Sequence, residues 1–307
     1  MHKFVKNILL FALIIALTLL VGEILIRHSG NPYSYKDAYI RNHGKDISTL
    51  ILGNSHTYYG VRADMIDSAF NLANVSQNYE YDYRLLEQYL PLLPNLRNVI
   101  ISLSYFSIRE PQFESGDEWW YASNYKMYMH IDKHSDRSRY NFEISYPPIY
   151  SGRLKKVIFG GNANCDSFGG CLDNYPEYSY SGWENQAKNR VESNTFPDSA
   201  SESNIRWLRQ ICQLCKSHNI NIIIVTTPTH ISYNSLLNPD QLAQMYGVAK
   251  LMSQDYNAVY LNYLTDKRFS YNDFFDSDHL IDPGARRFTS ILLNNLSEYI
   301  KPGSSSK

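Results

Sequence analysis

Nineteen consecutive residues, Ile8 to Ile26, read ILLFALIIALTLLVGEILI, with Glu23 as the only charge. As a helix with 1.5 Å rise per residue, the run covers roughly 28 Å, close to the hydrocarbon thickness of a bilayer. This length predicts a transmembrane helix, so residues 1–27 are read as a membrane anchor. His2, Lys3 and Lys6 precede the run. By the positive-inside rule they put the N-terminus in the cytoplasm, although Arg27 and His28 follow on the other side. The expected location is the cytoplasmic (inner) membrane, single-pass, with the remaining chain periplasmic or otherwise extracytoplasmic. A cleavable signal peptide is the alternative. The run is long for one, and no A-x-A site follows it. A buried helix of a soluble protein is a third reading.

Charge narrows the class of partner. The chain has 29 Lys+Arg against 30 Asp+Glu, a formal net charge of −1, and so lacks the basic excess of a phosphate-binding surface. Nucleic acid is therefore discounted. A chain that is 44% hydrophobic and only 19% charged is also not compositionally disordered.

Beyond the anchor, strand and helix signals alternate. STLIL (48–52), NVIISL (98–103), NIIIVT (221–226) and AVYL (258–261) are short apolar strands. Residues 65–73 carry a helix-like turn and a short run, AFNLA. Helical spacing covers 81–93, 204–218, 240–254 and 284–300. Short continuous apolar strands separated by helices predict an α/β domain with a parallel sheet covered on both faces. Residues 28–303 are assigned to this domain and 304–307 to a disordered tail. Between 109 and 202 the pattern stops. This stretch is rich in Tyr, Trp, Ser, Asn and Gly, and it is read as an irregular aromatic insertion that folds onto the core near the site. Cys165 and Cys171 flank a loop-like stretch and could bridge in an oxidising compartment. Cys212 and Cys215 lie on a helical repeat and read as small core residues. No zinc spacing is present.

Two short motifs carry chemistry. Leu52-Gly53-Asn54-Ser55-His56 follows the first strand directly. Ligands of open α/β sheets bind outside the carboxyl ends of the strands, so Ser55 stands where a nucleophile belongs. Gly53 allows a tight turn, and the Ser55 N–H could help hold an oxyanion. Alone, a Gly-x-Ser after a strand is more often a helix cap. The second motif, Asp276-Ser277-Asp278-His279-Leu280, precedes the last helix. A serine hydroxyl needs a base, and the base needs an orienting acid; one loop supplies both groups here. Alone, it also reads as a solvated acidic turn.

Together, GNSH and DSDH resemble the SGNH-type, or GDSL-like, hydrolases and acyltransferases. The resemblance covers the order of elements from about Thr49 to Ile300, interrupted by the insertion. It implies a flavodoxin-like three-layer α/β/α fold with a central parallel sheet. It also implies Ser55 as nucleophile, His279 as general base and Asp276 as the orienting carboxylate, with Asp278 the weaker candidate for that role. Asn54 stands where the first family block usually has Asp. The family places a Gly in its second block and an Asn in its third. At those places this chain has NLANVSQ (71–77) and ISLSYFS (101–107). Ser76 is expected to stand in for the Gly through its backbone N–H, with Gln77 nearby. Ser104 and Tyr105 lie where the Asn is usual. VTTPTHISY (225–233) adds His230. Asn54, Ser76, Gln77, Ser104, Tyr105 and His230 are accordingly the oxyanion or pocket candidates. The missing Gly and Asn move the resemblance toward a membrane-anchored branch. That branch includes the D-alanyl transfer protein and the alginate-type O-acetyltransferases.

The function implied is a serine acyltransferase acting outside the cytoplasm, specifically an O-acetyltransferase on a cell-surface glycan through an acyl-Ser55 intermediate. An O-acyl esterase with the same triad is the alternative, and a non-catalytic glycan-binding or assembly component is another. Trp119, Trp120, Tyr121 and Trp183, with Tyr125 and Tyr180, are candidate sugar-stacking residues; the competing reading is that they form the insertion's own core. The implied partners are the membrane through residues 8–26, a glycan or acyl-ester substrate, and a membrane-bound O-acyltransferase as acyl donor. No cofactor is implied.

Overall fold

Helix and strand order follow the hydrophobic pattern closely. A computed structural model describes residues 2–113, 120–131, 142–160, 180–297 and 299. In chain order it contains α1 (His2–His28), α2 (Pro32–His43), β1 (Thr49–Leu52), α3 (Ser55–Gly60), β2 (Ala69–Asn71), α4 (Tyr79–Tyr89) and β3 (Asn98–Ser102). There follow α5 (Trp120–Met129), α6 (Pro147–Phe159), α7 (Tyr180–Asn194), α8 (Ser201–Ser217), β4 (Asn221–Thr226) and α9 (Ile231–Asn234). The chain closes with α10 (Pro239–Tyr256), β5 (Val259–Asn262) and α11 (Asp282–Leu296). Trp119, Cys165, Cys171 and the 304–307 tail lie outside the described residues, as does the side chain of Tyr180.

The chain divides into two units. One comprises Met1–Ala38 and Phe113–Cys165, the other Tyr39–Gln112 and Asp166–Lys307. Of the 109–202 segment, residues 113–165 therefore group with the N-terminal helix, and 109–112 and 166–202 with the sheet. The segment is also less irregular than its composition predicts, since α5, α6 and α7 lie in it.

In the first unit, α1 is long and apolar enough to cross a membrane, and only 11% of its most apolar stretch is buried. A core helix of a soluble protein would be mostly covered, so that reading is set aside. Near its C-terminal end the lone acid of the apolar run is accounted for. Glu23 accepts hydrogen bonds from Arg27 Nε (2.7 Å) and from the backbone N–H groups of Glu143 (3.0 Å) and Ile144 (3.1 Å). Glu143 in turn meets Tyr128 and Arg153, and Arg153 donates to Asn124.

The second unit holds a five-stranded, wholly parallel sheet in the order β2-β1-β3-β4-β5. This is the doubly wound, flavodoxin-like order, whose topological switch point lies between β1 and β3. AFN of the run AFNLA is its edge strand β2, which the hydrophobic pattern does not distinguish from a turn. Three residues give too little pattern to separate a strand from a turn. Ile51, Ile100, Ile223 and Val225 face one side of the sheet, in a cluster with Phe288 and Leu292 of α11. Strand alternation turns Leu50, Val99, Ile101 and Ile224 to the opposite face. There α8 packs on β4 and α10 on β5. On α8 the buried positions Leu208, Ile211, Cys212 and Cys215 recur at helical spacing. Both cysteines are free and buried, and burial pushes the Cys215 thiol up to about 12.

The end of β1 is fixed from below by α4. Gly53 has φ 112°, and a Cβ there would lie 2.1 Å from Ser102 Oγ, so only glycine fits this turn. Its N–H donates to Asp82 Oδ1 (2.8 Å), and Gln77 Nε2 donates to the same oxygen (2.6 Å). Burial raises the Asp82 carboxyl to about 7, against the pull of those two donors. A group raised in the folded state stabilises it below the unfolded pKa, and that contribution is lost as pH climbs through about 7. Asp82→Asn keeps the acceptor and removes the charge. Relative to Asp82→Asn, denaturant midpoints of the wild type should fall as pH rises from about 4 to about 7 and level off above that. Parallel pH profiles for the two proteins would contradict this account.

Candidate active site

The loop between β1 and α3 sets the geometry. Asn54 is the N-cap of α3, and its Oδ1 accepts from His56 N–H (3.0 Å). Ser55 is thus the first residue of the helix, where the backbone N–H has no acceptor inside the helix. Asn54 N–H donates to Ser102 Oγ (3.1 Å) and Asn54 Nδ2 to Ser107 Oγ (3.2 Å), which ties the turn to the end of β3. The serine therefore lies at the switch point of the sheet.

The loop before α11 brings the other groups. Ser55 Oγ lies 2.8 Å from His279 Nε2. His279 Nδ1 lies 2.9 Å from Asp276 Oδ2 and 3.1 Å from Oδ1. Asp276 Oδ1 also accepts from the backbone N–H groups of Asp278 (3.1 Å) and His279 (2.7 Å), which holds both carboxylate and imidazole in one tight turn. All three residues are buried.

Asp278 lies beside this relay, with its Oδ1 3.8 Å from His279 Nδ1, but its carboxylate hydrogen bonds go to other partners. His56 Nε2 lies 3.3 Å from its Oδ2, and Arg190 Nε reaches both oxygens at 3.1 and 3.0 Å. Arg190 Nη2 is 3.3 Å from each ring nitrogen of His279, so the guanidinium lies against the imidazole. Gln186 Oε1 accepts from Ser277 N–H (3.3 Å). Both Arg190 and Gln186 come from α7, in the segment assigned to the insertion.

These charges set the protonation balance. Burial works against the charged form of His279, but Asp276 and Asp278 outweigh it and hold the imidazole above its ordinary value; Arg190 pulls the other way. For His56 burial dominates and lowers the pKa despite the bond to Asp278. Burial alone would raise Asp278, yet His279, His56 and Arg190 together hold it well below the usual carboxylate range. His56, Asp278 and His279 offer ligand atoms within 4.8 Å of one another, a set a metal ion could use. Arg190 already supplies a positive charge there, so a divalent cation would meet repulsion.

The pocket and substrate candidates fall in different places. Ser76 and Gln77 follow β2 in a turn closed by Gln77 N–H to Asn74 O (3.2 Å), and Asn74 N–H donates to Gly53 O (3.1 Å), so this turn adjoins the nucleophile loop. Ser76 has φ 56°, the left-handed region that favours glycine. Ser104 Oγ donates to Asn54 Oδ1 (3.2 Å), which places it beside the same loop. Tyr105 and Trp183 lie elsewhere than expected. Tyr105 is packed with Val191, Tyr233 and Leu264, and its hydroxyl bonds Thr195. Trp183 is 1% exposed and packs edge-on against His230 at 5.0 Å. A covered indole cannot stack on a sugar ring, and a buried phenol bonded in the core cannot line a pocket. His230 itself is buried, and its backbone N–H donates to Ser277 O (2.9 Å), bracing the His279 loop. Trp120 and Tyr121 stack on each other at 3.8 Å in the first unit, where Tyr125 is buried against Tyr33. His56 and Arg190 were not among the sequence candidates. His56 is adjacent to Ser55 in GNSH and could have been marked; nothing in the sequence around Arg190 points to the site.

Among known proteins, a family model without a descriptive name matches residues 171–301, less than half of the chain. No curated protein matches the sequence. Three similar solved structures are distant. A candidate acylhydrolase from Bacteroides fragilis is 10% identical, with 86% of this chain and 96% of that one covered and a TM-score of 0.44. A GDSL-like lipase from Bacteroides thetaiotaomicron is 9% identical, with 87% and 100% covered and a TM-score of 0.44. A lipase/acylhydrolase from Enterococcus faecalis is 8% identical, with 84% and 100% covered and a TM-score of 0.36. Chemistry for this chain rests on its own side-chain geometry.

The electrostatic arrangement is directly measurable. In an NMR titration of the histidine C–H signals, His279 should titrate above, and His56 below, the ordinary histidine value. Arg190→Met should move both upward, because a positive charge beside them is removed. Two unshifted histidines that ignore Arg190→Met would contradict the assignment.

Proposed function

We propose that this chain is a serine acyl-transfer enzyme of the SGNH type, with Ser55 as nucleophile, His279 as general base and Asp276 as its orienting acid. The observation that carries this reading is the continuous Ser55–His279–Asp276 hydrogen-bonded relay, buried at the switch point of the sheet. Ser55 Oγ bonds to the acyl carbonyl carbon while its proton passes to His279 Nε2. The oxyanion of the tetrahedral intermediate faces the Ser55 N–H at the start of α3, with the Ser76 N–H as the second donor. As the carbon–oxygen bond to the leaving alcohol breaks, His279 returns the proton to that alcohol. An acyl-Ser55 remains. His279 then takes a proton from an incoming alcohol or water, which attacks and releases Ser55.

The finer reading is O-acetyl transfer to a hydroxyl of a cell-surface glycan by a membrane-tethered domain outside the cytoplasm. Two observations support the tether. The α1 helix has the length and polarity of a span. Its outer end is also built into the first unit through Glu23, which a cleaved signal would not need to be. An O-acyl esterase uses the same steps with water in the second half. Acceptor competition separates the two: a transferase diverts acetyl from water to added oligosaccharide.

Turnover of a small acetyl ester tests the core of the proposal. Ser55→Ala should lower kcat by about 10³-fold or more, and Asp276→Asn by a comparable factor with little change in KM. Asp278→Asn should spare more activity than Asp276→Asn. Activity retained in Ser55→Ala would overturn the assignment.

A further inference from the structure

We propose that α6 is an interfacial helix that lies on the bilayer crossed by α1, with Ile158 and Phe159 among the acyl chains and Lys155 and Lys156 at anionic phospholipid head groups. This inference rests on the reading of α1 as a membrane span.

The first support is position. Tyr150 of α6 donates its hydroxyl proton to Leu19 O (3.2 Å). A Cβ on Gly22 would lie 2.0 Å from that hydroxyl and 3.6 Å from Leu154 Cδ1, so the glycine makes room for α6. Leu19 and Gly22 both fall inside the apolar run that ends at Ile26. Seven helical steps take the chain from Leu19 to Ile26, about 10 Å along the axis. The start of α6 is thereby held at the depth of the outer head-group and upper acyl region. The two bonds from Glu23 to Glu143 and Ile144 fasten the same segment one turn higher.

The second support is the two-sidedness of α6. Tyr150, Arg153, Leu154 and Val157 recur at helical spacing and are all at least partly buried. Lys155, Lys156, Ile158 and Phe159 occupy the other side and are all exposed. Ile158 is 58% and Phe159 82% exposed. Adjacent large apolar side chains open to water carry a cost that burial in lipid removes. Lysines beside them complete the pattern of a surface-lying helix: an apolar edge for the acyl chains and long basic side chains reaching head-group phosphates. Gly160, at φ 86°, ends the helix directly after this edge.

The test uses the full chain reconstituted in vesicles of phosphatidylcholine and phosphatidylglycerol in a roughly 3:1 mixture, so that anionic head groups are present. An environment-sensitive fluorescent amino acid is incorporated in turn at position 14, in α1, and at position 159. Brominated lipid should quench most of the emission at both positions, and aqueous iodide should quench neither. Exchanging both lysines, Lys155→Gln with Lys156→Gln, should weaken bromolipid quenching at 159 and leave position 14 unchanged. Quenching at 14 together with free iodide access at 159 would overturn the interfacial role of α6 while leaving the span intact. Iodide access at both positions would overturn the span, and the proposal with it.

Discussion

The tight turn at Gly53 is the constraint on which the second unit depends. Strand β1 must end and α3 begin within two residues, and the backbone must pass close to Ser102. Any side chain at 53 would collide with Ser102 Oγ and strain a positive φ. The turn is anchored on three sides: by Asp82 at the Gly53 N–H, by Ser102 at the Asn54 N–H, and by Asn74 at the Gly53 carbonyl. Each anchor comes from a different element of the sheet domain. Ser55 has a fixed direction because the turn has no freedom left. The same anchoring makes the buried Asp82 a point where pH reaches the nucleophile loop.

Charge, not only shape, separates the two acids of the DSDH loop. Their sequence spacing alone favours Asp276 only weakly, because both carboxylates are close to His279. The fold resolves it through partners. Asp276 spends its oxygens on the ring and backbone of His279. Asp278, fully buried, is matched by Arg190 and His56. A buried carboxylate without such partners would be costly. Arg190 thus neutralises the second acid and, lying against His279, limits how far the two acids raise its pKa.

Much of this was readable from the residues. Four of the five strands are continuous apolar runs, and their alternation with helices gave the parallel sheet. The pairing of GNSH with DSDH identified three residues that the fold brings into one relay. Ser76 is marked through the resemblance alone, as a stand-in for a glycine; its left-handed backbone, φ 56°, shows only in the fold. Less was legible where partners come from distant sequence. Strand β2 is too short to show a period. Arg190 sits among polar residues of α7 with nothing to mark it, and its role exists only once α7 packs on the His279 loop. The aromatic residues misled in part, since a tyrosine pattern does not distinguish a sugar platform from a core. Of the 26 tyrosines, several are buried with their hydroxyls satisfied: Tyr79 on Ser102 O, Tyr105 on Thr195 and Tyr263 on Asn295. They act as large core residues with a polar tip.

The central claim is that Ser55 is an activated nucleophile because His279 withdraws its proton. Covalent labelling by a fluorophosphonate, mapped by mass spectrometry of the folded chain, tests it most directly. The account predicts one adduct on Ser55, forming faster as pH rises through the His279 titration and strongly slowed by His279→Ala. An unlabelled Ser55, or labelling at a rate indifferent to His279→Ala, would contradict it.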